Sequence, residues 1–170
     1  MKGIFERFYP DEYLDSTYEI DFEGFCRKGI RGVIFDIDNT LVPHDAPADQ
    51  RAAALFERLH RMGCKTMLLS NNKEPRVRSF AKAVQTDYLY KAGKPKRDGY
   101  LGAIKRMGTT KETTLFVGDQ LFTDIWGAKR SGIYAVLVKP IHPKEEIQIV
   151  LKRYLEKIVL HFYKKSVGKG

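Results

Sequence analysis

Apolar runs and amphipathic segments alternate along most of this chain, and this alternation limits the fold more than any other feature. The apolar runs have the length of strands, and the segments between them show helical spacing and helix-boundary residues. The predicted strands are GVIFDI, CKTMLLS, a short run around DYLY, TTLFVG and IYAVLV. The predicted helices are PADQRAAALFERLHRMG, EPRVRSFAKAV, PKRDGYLGAIKRMG, TDIWGAKRSG and a last one over about 144–163. We therefore expect an α/β fold in which a Rossmann-like parallel sheet carries helices on both faces.

The length of 170 residues suits one domain, whose segments differ in character. Residues 1–29 form an aromatic-rich lead segment, which we expect to pack on the core through a short helix capped by Asp21 and ended by Gly29. Residues 30–141 hold the alternating strands and helices, and residues 142–170 hold the final helix and a short tail.

The cysteine and apolar content argues against several classes of protein. Cys26 and Cys64 are the only cysteines, and neither stands in a pattern typical of zinc ligands or of a disulfide framework. The first residues carry acids and lack the apolar core of a signal peptide, and no apolar run has the length of a transmembrane helix. These features are typical of a cytoplasmic protein.

The formal net charge of +9 is unevenly distributed along the chain. Residues 1–29 contain four basic and seven acidic side chains, a balance of −3, so the remaining residues carry +12. A basic surface suits anionic partners such as phosphorylated substrates, nucleic acid or an anionic membrane surface. An ordinary solvated surface explains the charge equally well.

Polar residues stand where the predicted strands end. Asp36 and Asp38 close the first strand, SNN closes the second, Lys94 follows the short third strand and Asp119 follows the fourth. The carboxyl ends of parallel strands meet at one edge of a sheet, where ligand sites form. Two acids two positions apart on an extended chain face the same side, and their repulsion requires a shared cation or proton. We therefore expect a charged site at this edge.

The ordered motifs DIDNT, LLSNN, GKP and GDQLFTD resemble those of haloacid dehalogenase (HAD)-type phosphatases, over roughly residues 32–140. Each motif alone is weak evidence, but four in this order at successive strand ends are specific. The resemblance implies that Asp36 is a nucleophile that forms an aspartyl-phosphate and that Asp38 is the general acid and base. It also implies that Lys94 supplies positive charge to the phosphoryl oxygens. Lys96 and Arg97 are neighbouring basic residues, and only the order of the motifs favours Lys94 over them.

The same resemblance implies a Mg²⁺ cofactor, a cation that prefers oxygen ligands. The implied ligands are the Asp36 carboxylate, the Asp38 backbone carbonyl and the Asp119 carboxylate. Asp124 would ligate the ion directly or orient a water bound to it. As an acid at the start of a predicted helix, Asp124 also has a purely structural explanation.

Further residues are expected to contact the phosphoryl group or to shape the loop beside it. Ser70 and Asn71 would donate hydrogen bonds to the phosphoryl oxygens. Thr40 is expected to orient the loop that carries the nucleophile, and we count it among the substrate-binding residues. His44, in the loop after the first strand, is either a substrate contact or an exposed residue, and the second interpretation is favoured.

The spacing of the motifs bears on the size of the substrate. HAD-type phosphatases often carry a cap domain, but only about thirty residues separate DIDNT from LLSNN and about twenty separate LLSNN from GKP. Neither gap holds an extra domain, so we expect no cap domain and an open site. The lead segment FYPDEYLDSTYEID resembles the capless subfamily III branch with the YqeG family and phosphatidylglycerophosphate phosphatases. That makes phosphatidylglycerophosphate a candidate substrate.

The final predicted helix, KEEIQIVLKRYLEKIVLHFYKKS, allows two interpretations. Its apolar residues recur at helical spacing, and residues 144–170 carry a net charge of +4. A helix peripheral to an anionic membrane has this pattern, and so does a helix packed on the sheet, which is favoured. The apolar stripe consists of Ile147, Leu151, Tyr154, Leu155, Ile158 and Phe162.

Three functional classes are considered: a phosphatase, a binding module and a phospho-receiver module. A Mg²⁺-dependent phosphomonoester phosphatase is favoured. A basic HAD-fold binding module, or a phosphatase acting on nucleotide or nucleic-acid phosphates, is the alternative. A pure binding module has no use for both Asp36 and Asp38, and a phospho-receiver module lacks the second acid. The sequence leaves the physiological substrate and the oligomeric state open.

Overall fold

The computed structural model of the protein describes residues 3–142 and 147–168, and of residues 147–150 it describes only the backbone. Its centre is a six-stranded sheet with the order β1-β6-β5-β2-β3-β4, in which all neighbouring strands pair in parallel. The strands are β1 Glu12–Leu14, β2 Gly32–Phe35, β3 Lys65–Leu69, β4 Asp87–Leu89, β5 Thr114–Gly118 and β6 Tyr134–Val138. The expected α/β class is confirmed. The sequence did not predict β1, which extends one edge of the sheet from within the lead segment.

Helices connect the strands and cover both faces of the sheet. The α-helices are α1 Phe22–Arg27, α2 Gln50–Arg61, α3 Glu74–Val84, α4 Arg97–Met107, α5 Trp126–Arg130 and α6 Ile147–Val167. Short 3₁₀ turns lie at Glu6–Phe8 and Thr17–Glu19, and a π-helical turn spans Leu121–Ile125 immediately before α5. The helix predicted over TDIWGAKRSG therefore begins earlier than expected and in a different geometry.

Capping residues explain several of the helix boundaries. The Asp21 side chain accepts a hydrogen bond from the Gly24 N–H at 2.8 Å, as the sequence predicts for α1. Asp49 caps α2 in the same way by accepting from the Ala52 N–H at 2.7 Å, so this helix begins after the predicted start near Pro47.

The central strands are buried on both faces, which is why their sequences are continuously apolar. Val33 and Phe35 of β2 face the core formed with α2 and α3, where Phe35 packs 5.1 Å from the Phe56 ring. Ile34 faces the opposite core, where the rings of Tyr100 and Phe116 pack 5.2 Å apart. The two cores fix the strand ends that carry the polar residues.

The lead segment packs on both of these cores, as its aromatic content predicts. Phe22 of α1 contacts Phe35 with ring centroids 5.9 Å apart. Cys26 Sγ lies 2.7 Å from Cys64 Sγ, and both are free thiols. No pattern in the sequence predicts that these two residues meet.

The last helix packs on the protein body by one face and exposes the other. Arg153, Glu156 and Val159 point inward, whereas Leu151 and Tyr154 are 64% and 66% exposed. The favoured expectation of a packed helix is met, but most of its apolar stripe lies on the exposed face: Leu151, Tyr154, Leu155, Ile158 and Phe162. The side chain of Ile147 and the predicted start of the helix at residues 144–146 lie outside the described part of the chain. Among the residues described, no helix is both long and apolar enough to span a bilayer.

The segments between the motifs are short, as expected. Only α2 and β3 lie between Asp38 and Ser70, and only α3 and β4 lie between Asn71 and Lys94. The expected absence of a cap domain in these segments is confirmed.

Candidate active site

Four strand ends bring the polar residues to one edge of the sheet. Asp36 follows β2 directly, Ser70 follows β3, and Asp119 follows β5. Lys94 lies in the loop between β4 and α4. The parallel register thus places all four residues at the carboxyl edge, as the sequence predicts.

Lys94 compensates two of the acidic side chains. Its Nζ donates to Asp36 Oδ1 at 2.7 Å and to Asp124 Oδ1 at 2.6 Å, and the Lys94 side chain is only 4% exposed. Burial alone would lower the pKa of Lys94, but the carboxylates of Asp124 and Asp36 raise it above its ordinary value. The ammonium group is therefore a fixed positive charge.

Three buried carboxylates form a cluster around this lysine. One carboxylate oxygen from each of Asp36, Asp119 and Asp124 lies within 4.8 Å of the other two. The Thr40 hydroxyl lies 3.2 Å from Asp36 Oδ2 and 3.1 Å from Asp119 Oδ1, so it joins two of the acids. This contact supports the loop-orienting role expected for Thr40, and its place among the substrate-binding residues stays a prediction.

Burial and mutual repulsion disfavour the charged form of two of these acids, Asp36 and Asp119. Burial, followed by repulsion from Asp124, raises the pKa of Asp36 to about 6, against the lowering effect of Lys94. Burial, followed by repulsion from Asp36 and Asp124, raises the pKa of Asp119 well above its ordinary range. Without a further cation, the cluster therefore favours protonated Asp36 and Asp119.

The donor set fits a hard divalent cation. It consists of carboxylate oxygens from Asp36, Asp119 and Asp124, without a nitrogen or sulfur donor. A cation among these oxygens would relieve the repulsion that raises the pKa values of Asp36 and Asp119. The geometry is thus compatible with the metal ligands expected from the sequence.

Asp38 lies apart from this cluster. Its carboxylate accepts hydrogen bonds from Arg76 Nη2 at 2.9 Å and the Asp45 N–H at 2.8 Å, and it lies 3.4 Å from Asn72 Nδ2. The expectation that Asp36 and Asp38 share one face assumed that the strand continues through both, but β2 ends at Phe35. The chain then turns at Asn39, whose φ of 62° is one that asparagine tolerates.

Ser70 and Asn71 have different surroundings. The buried Ser70 Oγ accepts from the Asn72 N–H at 3.1 Å, and its own proton is a separate donor. The Asn71 side chain bonds the backbone of Lys94 twice, because Oδ1 accepts from the Lys94 N–H at 2.8 Å and Nδ2 donates to the Lys94 carbonyl at 3.2 Å. Asn71 therefore fixes the lysine loop, and its contact with a substrate stays a prediction.

Asp124 has one contact within its own turn and another with Lys94 of the carboxylate cluster. Its Oδ2 accepts from the Gln120 N–H at 3.1 Å, which stabilises the start of the π-helical turn, while Oδ1 meets Lys94. The hydroxyl of Tyr100 in α4 stabilises this turn, because it donates to the carbonyls of Thr123 and Asp124 at 2.8 and 3.0 Å. The structural explanation of Asp124 is thus supported, and its contact with a metal or a metal-bound water stays a prediction.

Sequence reasoning missed three charged residues near the site. Arg153 of α6 pairs with Asp119, and Glu156 lies 3.1 Å from Arg153 Nη1. Arg76 of α3 holds Asp38. An arginine soon after SNN is a weak signal for Arg76, because Arg78 follows in the same helix. Arg153 and Glu156 stood among other charges of an amphipathic helix and carried no signal.

The other sequence-based candidates lie outside the carboxylate cluster. His44 is half-exposed and lies 3.3 Å from Asp45, close to Asp38. Lys96 and Arg97 are exposed, whereas Lys94 is buried against Asp36. The geometry therefore selects Lys94 from the three neighbouring cations.

Comparison with known proteins places the chain in a family. The sequence model of the haloacid dehalogenase-like hydrolases matches residues 44–132. The chain is also 34% identical over 160 residues to the probable phosphatase YqeG of Bacillus subtilis, and the alignment covers 94% of this chain and 93% of that protein. The chain belongs to the HAD-like hydrolase family. It is a phosphatase of that family, and the resemblance seen in the motifs is confirmed.

Two further comparisons bear on this HAD phosphatase. Phosphatidylglycerophosphate phosphatase 1 of Arabidopsis thaliana is 30% identical over 163 residues, which cover 89% of this chain and 46% of that protein. The cobalt-bound form of the deoxy-D-mannose-octulosonate 8-phosphate phosphatase YrbI of Haemophilus influenzae has a TM-score of 0.52 at 17% identity, over 66% of this chain and 80% of that one. The second comparison supports the fold alone.

The family match does not reach every candidate residue. Residues 44–132 include Ser70, Lys94, Asp119 and Asp124, but they begin after Asp36 and Asp38. The roles given to these two acids therefore depend on the DIDNT motif and on their geometry.

Proposed function

We propose that this HAD phosphatase hydrolyses a phosphomonoester with Mg²⁺ as cofactor and with an aspartyl-phosphate on Asp36 as intermediate. The observation that carries the proposal is the buried cluster in which Lys94 lies 2.7 Å from Asp36 and 2.6 Å from Asp124. A cluster of three buried acids around one lysine is costly for stability unless it serves a cation or a reaction.

Asp36 is the proposed nucleophile. A carboxylate oxygen of Asp36 attacks phosphorus, and the bond from phosphorus to the alcohol oxygen breaks. Lys94, whose Nζ already contacts Asp36 Oδ1, holds the nucleophile in place and offers positive charge to the phosphoryl oxygens. Bound Mg²⁺, held by the carboxylates of Asp36 and Asp119, with Asp124 and the Asp38 backbone carbonyl as further ligands, would neutralise negative charge on the phosphoryl group.

Asp38 is the proposed general acid and base. In the first step its proton passes to the departing alcohol oxygen. In the second step it takes a proton from the water that attacks phosphorus, and the bond from phosphorus to Asp36 breaks to release inorganic phosphate. Arg76 and the Asp45 N–H fix the carboxylate at 2.9 and 2.8 Å, so a single rotamer is favoured before substrate arrives.

Three neutral side chains complete the proposed site. Ser70 donates its proton to a phosphoryl oxygen. Asn71 keeps the Lys94 loop in place through its two backbone hydrogen bonds and is proposed to approach the phosphoryl group from there. Thr40 keeps Asp36 and Asp119 close together.

The substrate is proposed to be bulky, and phosphatidylglycerophosphate is the candidate. The segments after Asp38 and Asn71 hold no cap domain that would enclose a small molecule. A relative with 30% identity is a phosphatidylglycerophosphate phosphatase. The exposed apolar face of α6 is flanked by exposed lysines, which suits peripheral contact of a cytoplasmic protein with an anionic membrane.

Phosphate release from a panel of phosphoesters tests the proposal. We expect Mg²⁺-dependent hydrolysis of p-nitrophenyl phosphate and of phosphatidylglycerophosphate, no hydrolysis after EDTA treatment, and none by Asp36→Asn. Asp98→Asn, a change of an exposed acid of α4, serves as the control. Beryllium fluoride with Mg²⁺ should inhibit by taking the place of the phosphoryl group on Asp36. Wild-type turnover by Asp36→Asn would exclude the proposed nucleophile.

A further inference from the structure

Arg153 reaches from α6 into the carboxylate cluster and holds Asp119 at two points. Its Nη2 pairs with Asp119 Oδ2, and its Nη1 donates to the backbone carbonyl of Asp119 at 2.5 Å. The side chains of Asp119 and Arg153 are 0% and 15% exposed. A planar guanidinium that binds both the carboxylate and the backbone of one residue restricts the rotamer of that residue as well as its charge.

The two carboxylate oxygens of Asp119 therefore have different surroundings. Oδ2 is bound by Arg153. Oδ1 lies 3.1 Å from Thr40 Oγ1, which in turn lies 3.2 Å from Asp36 Oδ2. Oδ1 thus faces the side of the cluster where Asp36 lies, and it is the Asp119 oxygen that a cation there would bind.

Glu156, one helical turn after Arg153, completes this arrangement. Its Oε2 lies 3.1 Å from Arg153 Nη1, and its Oε1 accepts from the Leu121 N–H at 2.9 Å. Because Glu156 balances the charge of Arg153, the pair adds no net charge to the cluster. Together the two side chains attach α6 to the loop of residues 119–121.

We propose that Arg153 is a positioning residue, which holds Asp119 so that Oδ1 faces the metal site while Glu156 holds Arg153. The inference rests on the proposed function, since it concerns a proposed ligand of Mg²⁺. It gives the last helix a part in building the site. By linkage, metal binding stabilises the docked position of α6 to the same extent as docking favours the metal.

A positioning role and a competing role predict opposite changes in affinity. If Arg153 only replaced the metal as a counterion of Asp119, its removal would tighten Mg²⁺ binding, because a repelling positive charge would be lost. If it positions Asp119, its removal weakens binding. Loss of a side chain that orients a metal ligand typically lowers metal affinity by about 10–100-fold.

Isothermal titration of Mg²⁺ into the full-length protein without substrate measures this affinity. We expect Arg153→Ala to weaken binding at least about tenfold and Arg153→Lys to restore it only partly, because one ammonium group cannot hold Asp119 at both points. Lys157→Ala removes the same charge from an exposed position of α6 and should leave the affinity unchanged. Val159→Ala loosens the buried face of α6 and should lower Tm with little change in affinity.

The outcomes separate this inference from the proposed function. Mg²⁺ binding to Arg153→Ala as tight as to the wild type, or tighter, would overturn the positioning role. An equal loss of affinity in Val159→Ala would also overturn it, since any loosening of α6 would then suffice. Absence of Mg²⁺ binding to the wild type would remove the metal site itself. If circular dichroism shows Arg153→Ala unfolded, Arg153→Lys and Glu156→Gln decide by the same criterion, and both should bind Mg²⁺ more weakly than Lys157→Ala.

Discussion

Lys94 and Asp124 are separated by 30 residues in the chain, yet Lys94 Nζ donates to Asp124 Oδ1 at 2.6 Å. The same ammonium group binds Asp36, so a single cation connects the end of β2 with the π-helical turn that follows β5. Both ion pairs are nearly inaccessible to solvent, and water can compensate little if one partner is removed.

Replacement of Lys94 by methionine should therefore affect both stability and turnover. Lys94→Met keeps a long side chain but leaves Asp36 and Asp124 without their shared cation. We expect a loss of about 3–5 kcal/mol in the free energy of unfolding of the metal-free protein, measured in urea at neutral pH. Hydrolysis of p-nitrophenyl phosphate should also be lost. Lys96→Met, two residues away and exposed, is the matched control, and equal behaviour of the two variants would contradict the assignment.

The pKa of Asp36 predicts a pH-dependent stability in the metal-free protein. Folding raises this pKa from 3.8 to about 6, so the folded state binds the proton more tightly than the unfolded chain. The resulting stabilisation is complete below about pH 4 and is lost as pH rises through about 6. Asp36→Asn cannot ionise and escapes this loss.

Urea unfolding with EDTA at several pH values measures the effect. The stability of Asp36→Asn relative to the wild type should increase by about 3 kcal/mol between about pH 4 and pH 8, since each pKa unit is worth about 1.4 kcal/mol. A flat difference for Asp36→Asn would mean that burial does not disfavour its charge.

Gly118 leaves room for Asp124 at the end of β5. A Cβ atom at position 118 would lie 2.6 Å from Asp124 Cβ and Oδ2, a distance that forces the side chain away from Lys94. We expect Gly118→Ala to cost about 1–3 kcal/mol of stability and to reduce turnover. Gly102→Ala is the control, because a Cβ there meets only Leu89 Cδ1 at 3.7 Å within a helix. That change should be neutral or stabilise the protein by up to about 1 kcal/mol.

The strands and the main helices were predictable because each carries its own local signal. The run before Asp36 is apolar throughout, which predicts a strand that is buried on both faces. The helix Glu74–Val84 begins and ends where its sequence predicts. Parallel strands then bring their carboxyl ends together, so Asp36, Lys94 and Asp119 could be grouped before their distances were known.

Other features depend on contacts that no local pattern contains. The edge strand Glu12–Leu14 forms only because β6 offers it a partner. Asp38 turns to Arg76 because the chain reverses at Asn39, and strand alternation cannot predict a side-chain direction beyond a turn. The pairing of Arg153 with Asp119 joins residues 34 positions apart in the chain. Arg153 lies on α6, and the apolar stripe of that helix predicted that a different face would point inward.

The exposed face of α6 leads to the last prediction, which concerns membrane contact. Leu151 and Leu155 are 64% and 49% exposed on the side opposite Arg153, and exposed lysines flank them. If this face contacts an anionic bilayer, full-length protein should sediment with vesicles that contain phosphatidylglycerol. Salt at about 1 M, which shortens screening to ~3 Å, should weaken this binding by removing the lysine contribution.

Leu151→Ser combined with Leu155→Ser should weaken vesicle binding by at least about tenfold at low salt, since a buried leucine contributes about 1.5–3 kcal/mol. The same variant should hydrolyse p-nitrophenyl phosphate at the wild-type rate, because the face with Arg153 and Glu156 is unchanged. Leu101→Ser, at an exposed leucine of α4, should bind vesicles like the wild type. Failure of the wild type to sediment at low salt would exclude the membrane contact and leave the phosphatase proposal standing.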